Sequence, residues 1–183
     1  MGRYTCRTDI FSYLCQKIKR WPKKSYTPTP AYCSSLYCVS MTQRHSIQYG
    51  HIMLVTTVLK DRRKLFYNPA FAREAVECLY RTMEIHPVFL HGFAVMPDHI
   101  HLLIHPIEPM NVSLFMNRYK TNISRSISIG PIWQRRFHVR IANDAFAALD
   151  YIHHNPCLDG LCDSPDQYPW SSASGMWDVS PLD

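Results

Sequence analysis

VFLHGFAVMPDHIHLLIH, residues 88–105, reads as two β-strands separated by a proline-aspartate turn, and that reading decides the fold. VFLHGFAVM (88–96) and HIHLLIH (99–105) are short apolar runs of strand length, and Pro97-Asp98 supplies the fixed φ and the short polar side chain that turns favour. An antiparallel pair follows. Working backwards, NPAFAREAVECLYRTMEI (68–85) spells a helix: Asn68 caps it, Pro69 occupies its first position, and Phe71, Ala75, Leu79 and Met83 recur at four-residue steps. Before it, HIMLVTTVL (51–59) is rich in β-formers and ends in the charged run KDRRK (60–64). Working forwards, NVSLFMNRYKTNISRSI (111–127) is a second helix, capped by Asn111 and striped by Phe115, Tyr119, Ile123 and Ile127, and Gly130-Pro131 stops it. HVRIA (138–142) is a short strand, and DAFAALDYIHHN (144–155) a third helix, capped by Asn143 and stopped by Pro156. The order β-α-β-β-α-β-α predicts an α+β fold of the ferredoxin-like kind, an antiparallel sheet with helices on one face, followed by a C-terminal helix.

At 183 residues, with 46% hydrophobic and 19% charged residues, the chain is globular and able to bury a real core. No apolar run approaches the ~18 residues of a membrane span, so no membrane partner is expected. Seven cysteines, without a C-x-x-C pair or a secretory apolar segment, fit a reducing cytoplasm. Cys33/Cys38 and Cys157/Cys162 each enclose four residues, at the loose limit of zinc-ligand spacing and without a histidine partner at a recognised offset. The net charge of +6 is uneven: residues 1–50 hold eight Lys or Arg against one acid, residues 51–150 twelve against eight, and residues 151–183 none against five. A basic front on a globular body suits a polyanion partner.

Residues 1–45 read as an extension outside the main domain, ordered only in part. TDIFSYLCQKIKRW (8–21) has the pattern of a short amphipathic helix and PKKSYTPTP (22–30) breaks regular structure. A transit-like leader, a basic arm for nucleic acid and a true translation start at Met41 all fit this stretch. The main domain is expected at 46–175, with a tail at 176–183.

In a strand, side chains alternate, so Ile100, Leu102 and Ile104 face the helices, while His99, His101, Leu103 and His105 point the other way. His99 and His101 then stand about 7 Å apart along the strand, near enough to share one cation, although two histidines on a wet sheet face is the plainer account. On the third helix Tyr151 and Asn155 lie one turn apart, away from the stripe of Phe146, Leu149 and Ile152/His153. They are either a surface pair or half of a site. If that helix face meets the open sheet face, Asn155 adds a carbonyl oxygen to two imidazoles, mixed ligation that suits Mg²⁺ or Mn²⁺ over a phosphate. A phenol is a weak nucleophile until its target is polarised, which a divalent cation accomplishes.

GFAVMPDHIHLLI (92–104), IWQRRFHVRI (132–141) and YIHHNPCLDGL (151–161) with QYPWSS (167–172), in that order, resemble the REP-associated tyrosine transposases among the single-tyrosine HUH transposases, over about residues 47–175. The resemblance implies that His99 and His101 bind a divalent metal, that Asn155 completes its site and that Tyr151 is the nucleophile. It implies a metal-dependent endonuclease and strand transferase that acts on single-stranded DNA beside a hairpin, through a 5′-phosphotyrosine, as a monomer or homodimer. The chain departs from the family pattern at Val139, where an acid is common, and at Cys157-Leu158, where Val and a basic residue are common.

Arg62, Arg63, Arg118, Lys120, Arg135 and Arg136 are candidate DNA contacts, and Trp133 would stack on a base or plug the core. His105 is expected to be solvated or supporting, and His153 and His154 structural or DNA-facing. Two alternatives share these residues: a rolling-circle type nickase, and a domesticated hairpin-binding module that no longer cuts. A histidine-triad hydrolase would need histidine at position 103, where the chain has Leu103.

Overall fold

The computed structural model describes residues 49–182, within the compact unit Arg44–Asp183. The predicted helix at 8–21, the Cys33/Cys38 pair and Met41 lie outside the described residues. Strand β1 (Met53–Leu59) leads through two single 3₁₀ turns to helix α1 (Pro69–Ile85), then β2 (Val88–Val95), β3 (His99–Pro106), α2 (Val112–Ile127), β4 (Trp133–Ile141) and α3 (Ala145–Leu158). The sheet order is β2-β3-β1-β4 and all three pairings are antiparallel. This is the predicted α+β arrangement.

Helices α1 and α2 cover one face. Met53, Val55 and Leu59 of β1 and Ile100, Leu102 and Ile104 of β3 join Val76 and Leu79 of α1 and Phe115, Tyr119 and Ile123 of α2 in one core. Burying each large apolar side chain there stabilises by roughly 1.5–3 kcal/mol. Asn68 accepts from the Ala70 amide and Asn111 from the Leu114 amide, so both predicted caps satisfy orphan donors. In β2 the register slips between Leu90 and Gly92, a bulge that lets both Leu90 and Phe93 enter this core.

Helix α3 covers part of the opposite face, where Ala148 and Ile152 pack on Leu54, Ala94, Met96 and Leu103. Its approach is close: a Cβ at Gly92 would stand 2.2 Å from Leu149 Cδ1. Three local expectations are corrected. The α3 cap is Asp144, which accepts from the Ala147 amide, rather than Asn143. Pro156 lies inside α3, because near the helix end its missing N–H forfeits only the bond to Ile152, and the helix continues to Leu158. Strand β4 begins at Trp133, five residues before the predicted start, since an irregularity opposite Thr57 and Leu59 hides the alternation.

The segment after α3 returns to β2. Trp170 O accepts from the Val95 amide (2.9 Å) and Tyr168 Oη donates to Val95 O (2.8 Å). Within the stretch expected as a tail, Trp177 stacks on Tyr80 with centroids 6.0 Å apart, and the Ser180 amide donates to Leu90 O (2.7 Å). Among the described residues no helix is long and apolar enough to cross a membrane.

Candidate active site

The turn between β2 and β3 delivers His99 as the first strand residue, and the pleat places His101 on the same face. Their Nε2 atoms are 3.0 Å apart, with the rings nearly perpendicular at 88°. Each opposite nitrogen is tied. His99 Nδ1 meets Asp98 Oδ1 at 2.6 Å, and His101 Nδ1 meets Thr56 Oγ1 at 2.9 Å. Burial raises the Asp98 carboxyl, but the hydrogen bond and charge of His99, with Arg62, outweigh it and hold Asp98 below the usual carboxylate range. A carboxylate only accepts, so His99 carries a proton on Nδ1 and presents Nε2 to His101. Burial, reinforced by the charge of His99 against the opposing effect of Asp98, pushes His101 down to about 3, so it is neutral near pH 7.

Helix α3 brings Tyr151 beside His101. Its ring centroid is 5.5 Å from that of His101, edge to face, and its side chain is 44% exposed, which leaves it reachable from solvent. One turn on, Asn155 is buried, and its Nδ2 donates to Tyr151 O at 3.3 Å. That bond occupies the donor end of the amide and leaves the oxygen as the end that would meet a cation. Two imidazoles tethered at Nδ1, with Nε2 atoms about 3 Å apart, are spaced like adjacent ligands of a small octahedral ion at about 2.1 Å. The donor set therefore fits a divalent metal. Among the described residues no group of three His, Cys, Asp or Glu could hold one, and a set of two His and an Asn falls outside that class.

The helix is pinned from behind. His153 Nε2 lies 2.9 Å from Ser172 Oγ, which accepts from the Phe93 amide at 3.0 Å, so His153 is structural. His154 pairs at the surface with Asp150, at 3.1 Å. His105 belongs to a different group, beside Phe89 and His91 with centroids 6.1 and 6.5 Å away.

The candidate DNA residues scatter. Arg62 pairs with Asp98 Oδ2 at 3.1 Å and so reaches the histidine pair through one carboxylate. Arg63 donates to Lys60 O and Pro131 O, bracing the connection into β4. Helix α2 lies across the sheet from the pair, and with it Arg118, which is exposed, and Lys120. Lys120 is corrected from a surface contact to a buried group: only 9% exposed, its Nζ donates to Gln134 O at 2.8 Å. Trp133 packs against the core beside Phe66, and its Nε1 donates to Lys120 O, so the core-plug account describes its position. Lys120, Thr121, Arg125, Trp133 and Arg135 line an open groove of about 600 Å³. Arg135 and Arg136 are exposed near the start of β4.

Four residues escaped the sequence reading. Asp98, read as a turn residue, tethers His99; its place directly before the histidine was the available signal. Thr56 tethers His101 and sits opposite both His101 on β3 and His138 on β4, so His138 shares the row. Arg140, opposite Leu54, points the same way.

Residues 43–155 match the family described as Transposase IS200 like. The chain belongs to the IS200-like transposases. Within that family it is similar to a Haemophilus influenzae protein assigned as a REP-associated tyrosine transposase, with 29% identity over 147 residues, 70% of this chain and 83% of that protein. Its fold is that of a solved REP-associated tyrosine transposase bound to a REP hairpin, with a TM-score of 0.63 and 22% identity over 79% of this chain and 94% of the other. For an IS200-like transposase, the side chains on this sheet face are the natural place to seek the chemistry.

Proposed function

We propose that this transposase nicks and rejoins single-stranded DNA beside a hairpin, with Tyr151 as nucleophile. The observation that carries the reading is the approach of His99 Nε2 to within 3.0 Å of His101 Nε2, with the Tyr151 ring 5.5 Å from that of His101. His99, His101 and Asn155 would hold Mg²⁺ or Mn²⁺. Such an ion, when bound, supplies Lewis-acid polarisation of a phosphate oxygen. The Tyr151 oxygen attacks phosphorus, the P–O3′ bond breaks, the phenolic proton ends on the departing 3′-oxygen, and the 5′ side stays on the enzyme as phosphotyrosine. One phosphoester replaces another, so the step reverses without nucleotide hydrolysis. Asp98 and Thr56 orient the two imidazoles, and Arg136 and Arg140 provide a cationic approach along β4, with His138 in the same row. A monomer or a homodimer fits this reading, the homodimer carrying two such sites. A cytoplasmic location belongs to the same reading.

The test is incubation of the full chain with labelled single-stranded DNA carrying a hairpin from the flank of its own gene, with Mn²⁺ or EDTA. We expect a protein-linked band on a denaturing gel, dependent on Mn²⁺ and absent from Tyr151→Phe, which still binds the DNA. Tight hairpin binding with no covalent band under Mg²⁺ or Mn²⁺ would reduce the protein to a binding module. A band that persists in Tyr151→Phe would move the nucleophile elsewhere.

A further inference from the structure

The turn that closes α3 folds the chain back on itself. The Gly160 amide donates to Cys157 O (3.0 Å) and the Leu161 amide to Pro156 O (2.9 Å), the paired bonds of a Schellman cap, with Gly160 in the left-handed region at φ 69°. Leu161 packs against the small core beneath α3, which holds the turn down and presents the next residue, Cys162, to the last helical turn. Cys162 Sγ consequently lies 3.5 Å from Cys157 Sγ. Both side chains are partly exposed, whereas Cys78 is buried. Neither sulfur has a role in the site proposed above, and Cys157 stands two residues beyond Asn155 in the same helix.

We propose that Cys157 and Cys162 are a dithiol modification site, oxidised by low-molecular-weight disulfides to an intramolecular disulfide that clamps the C-terminal turn of α3. One protein thiolate attacks a sulfur of the small disulfide, whose S–S bond breaks and releases one thiol. The second protein thiol, losing its proton, displaces the other half of the reagent. Two protein S–H groups and one small disulfide thus become one protein S–S bond and two small thiols, with the protein sulfur oxidised and the reagent reduced. The sulfurs must close from 3.5 Å to about 2.05 Å, a shift that χ1 rotations within one turn can supply. The crosslink makes the stiffness of the helix end that carries Asn155 depend on redox state, and no DNA is required for it to form.

The experiment treats the full chain with excess oxidised glutathione, blocks free thiols and cleaves before aspartates. Asp159 lies between the two cysteines, so the cut yields 150–158 and 159–162 as separate fragments. We expect these two to be joined, two hydrogens lighter than their sum, in wild type and in Cys78→Ser but not in Cys157→Ser or Cys162→Ser. We further expect amide exchange across 158–162 to slow at least ~3-fold on oxidation, as local opening is suppressed. Glutathione adducts without the joined fragments, or bonds from either sulfur to another cysteine, would overturn the pairing. Joined fragments with unchanged exchange would overturn the clamp. Both readouts are independent of DNA cleavage, so a failure here is separable from a failure of the proposed nicking activity.

Discussion

On one face of the sheet Ile100, Leu102 and Ile104 of β3 are sealed under α1 and α2, while the alternate residues His99 and His101 look out on the other face, where α3 covers only part of the strands. The covered face is apolar and fills its space with side chains whose burial stabilises the domain. The other face keeps a smaller apolar patch, Leu54, Ala94, Met96 and Leu103 under Ala148 and Ile152, and beside it a tethered polar row. The contrast shows how a single strand can supply the core from one set of residues and a tethered polar row from the residues between them. The core anchors the strand that carries the histidines, and incomplete cover leaves Tyr151 exposed.

The largest expected effect separates the two faces directly. Leu102→Ala should cost about 2–5 kcal/mol of folding stability, the range for truncating a core leucine. His101→Ala, one residue away, should cost about 1 kcal/mol or less and yet lower DNA adduct formation at least ~100-fold. Urea denaturation beside the gel assay measures both. Equal destabilisation by the two changes would remove the division of labour between the faces.

Asp98→Asn sharpens the polar side. An amide cannot reproduce the carboxylate that fixes the His99 tautomer, so activity at low Mn²⁺ should fall ~10–100-fold and recover in part as Mn²⁺ is raised. A Mn²⁺ titration of adduct formation, with stability unchanged, distinguishes this from simple unfolding.

Lys120→Met probes the covered side. Burial pushes the Lys120 amine down to about 8 from an ordinary 10.5. Between those values the unfolded chain binds more protons than the folded one, so stability rises with pH across that interval, and below pH 8 the buried charge opposes folding in full. The substitution should therefore stabilise by about 1–2 kcal/mol at pH 7, a gain that shrinks toward zero near pH 10 in thermal or urea unfolding. The smallest effect is expected at the sheet edge. Arg140→Ala should weaken hairpin DNA binding only a few-fold while lowering the slope of log affinity against log salt by about 1.

Much of this was legible before any coordinates. Asn68 and Asn111 announced their helices because a short polar side chain followed by a periodic apolar run is a local signal. His99 and His101 could be placed on one face because the strand period is two. Asn143 and Asp144 are both good caps, and only the folded chain selects Asp144, whose side chain reaches the Ala147 amide. Trp133 was ambiguous for a related reason. An amphipathic side chain at a strand start serves a surface or a core equally well, whereas Lys120 is buried within α2 because the carbonyl of Gln134 that receives it is brought there by tertiary packing.

By itself the amino-acid sequence determined the order of elements, the residues that share a face, and the pairing of Tyr151 with Asn155 one turn apart, because each follows from short-range sterics with periods of 2 and 3.6 residues. Only the tertiary structure decided that α3 lands on the histidine face, that Asp98 and Thr56 hold the imidazoles, and that Cys162 returns to Cys157. Where α3 lands depends on contacts between distant segments, Leu149 against Gly92 and His153 through Ser172 to Phe93, and the two thiols meet through a cap held down by the core beneath it. Such contacts leave no periodic trace along the chain, since their geometry exists only once the sheet has formed.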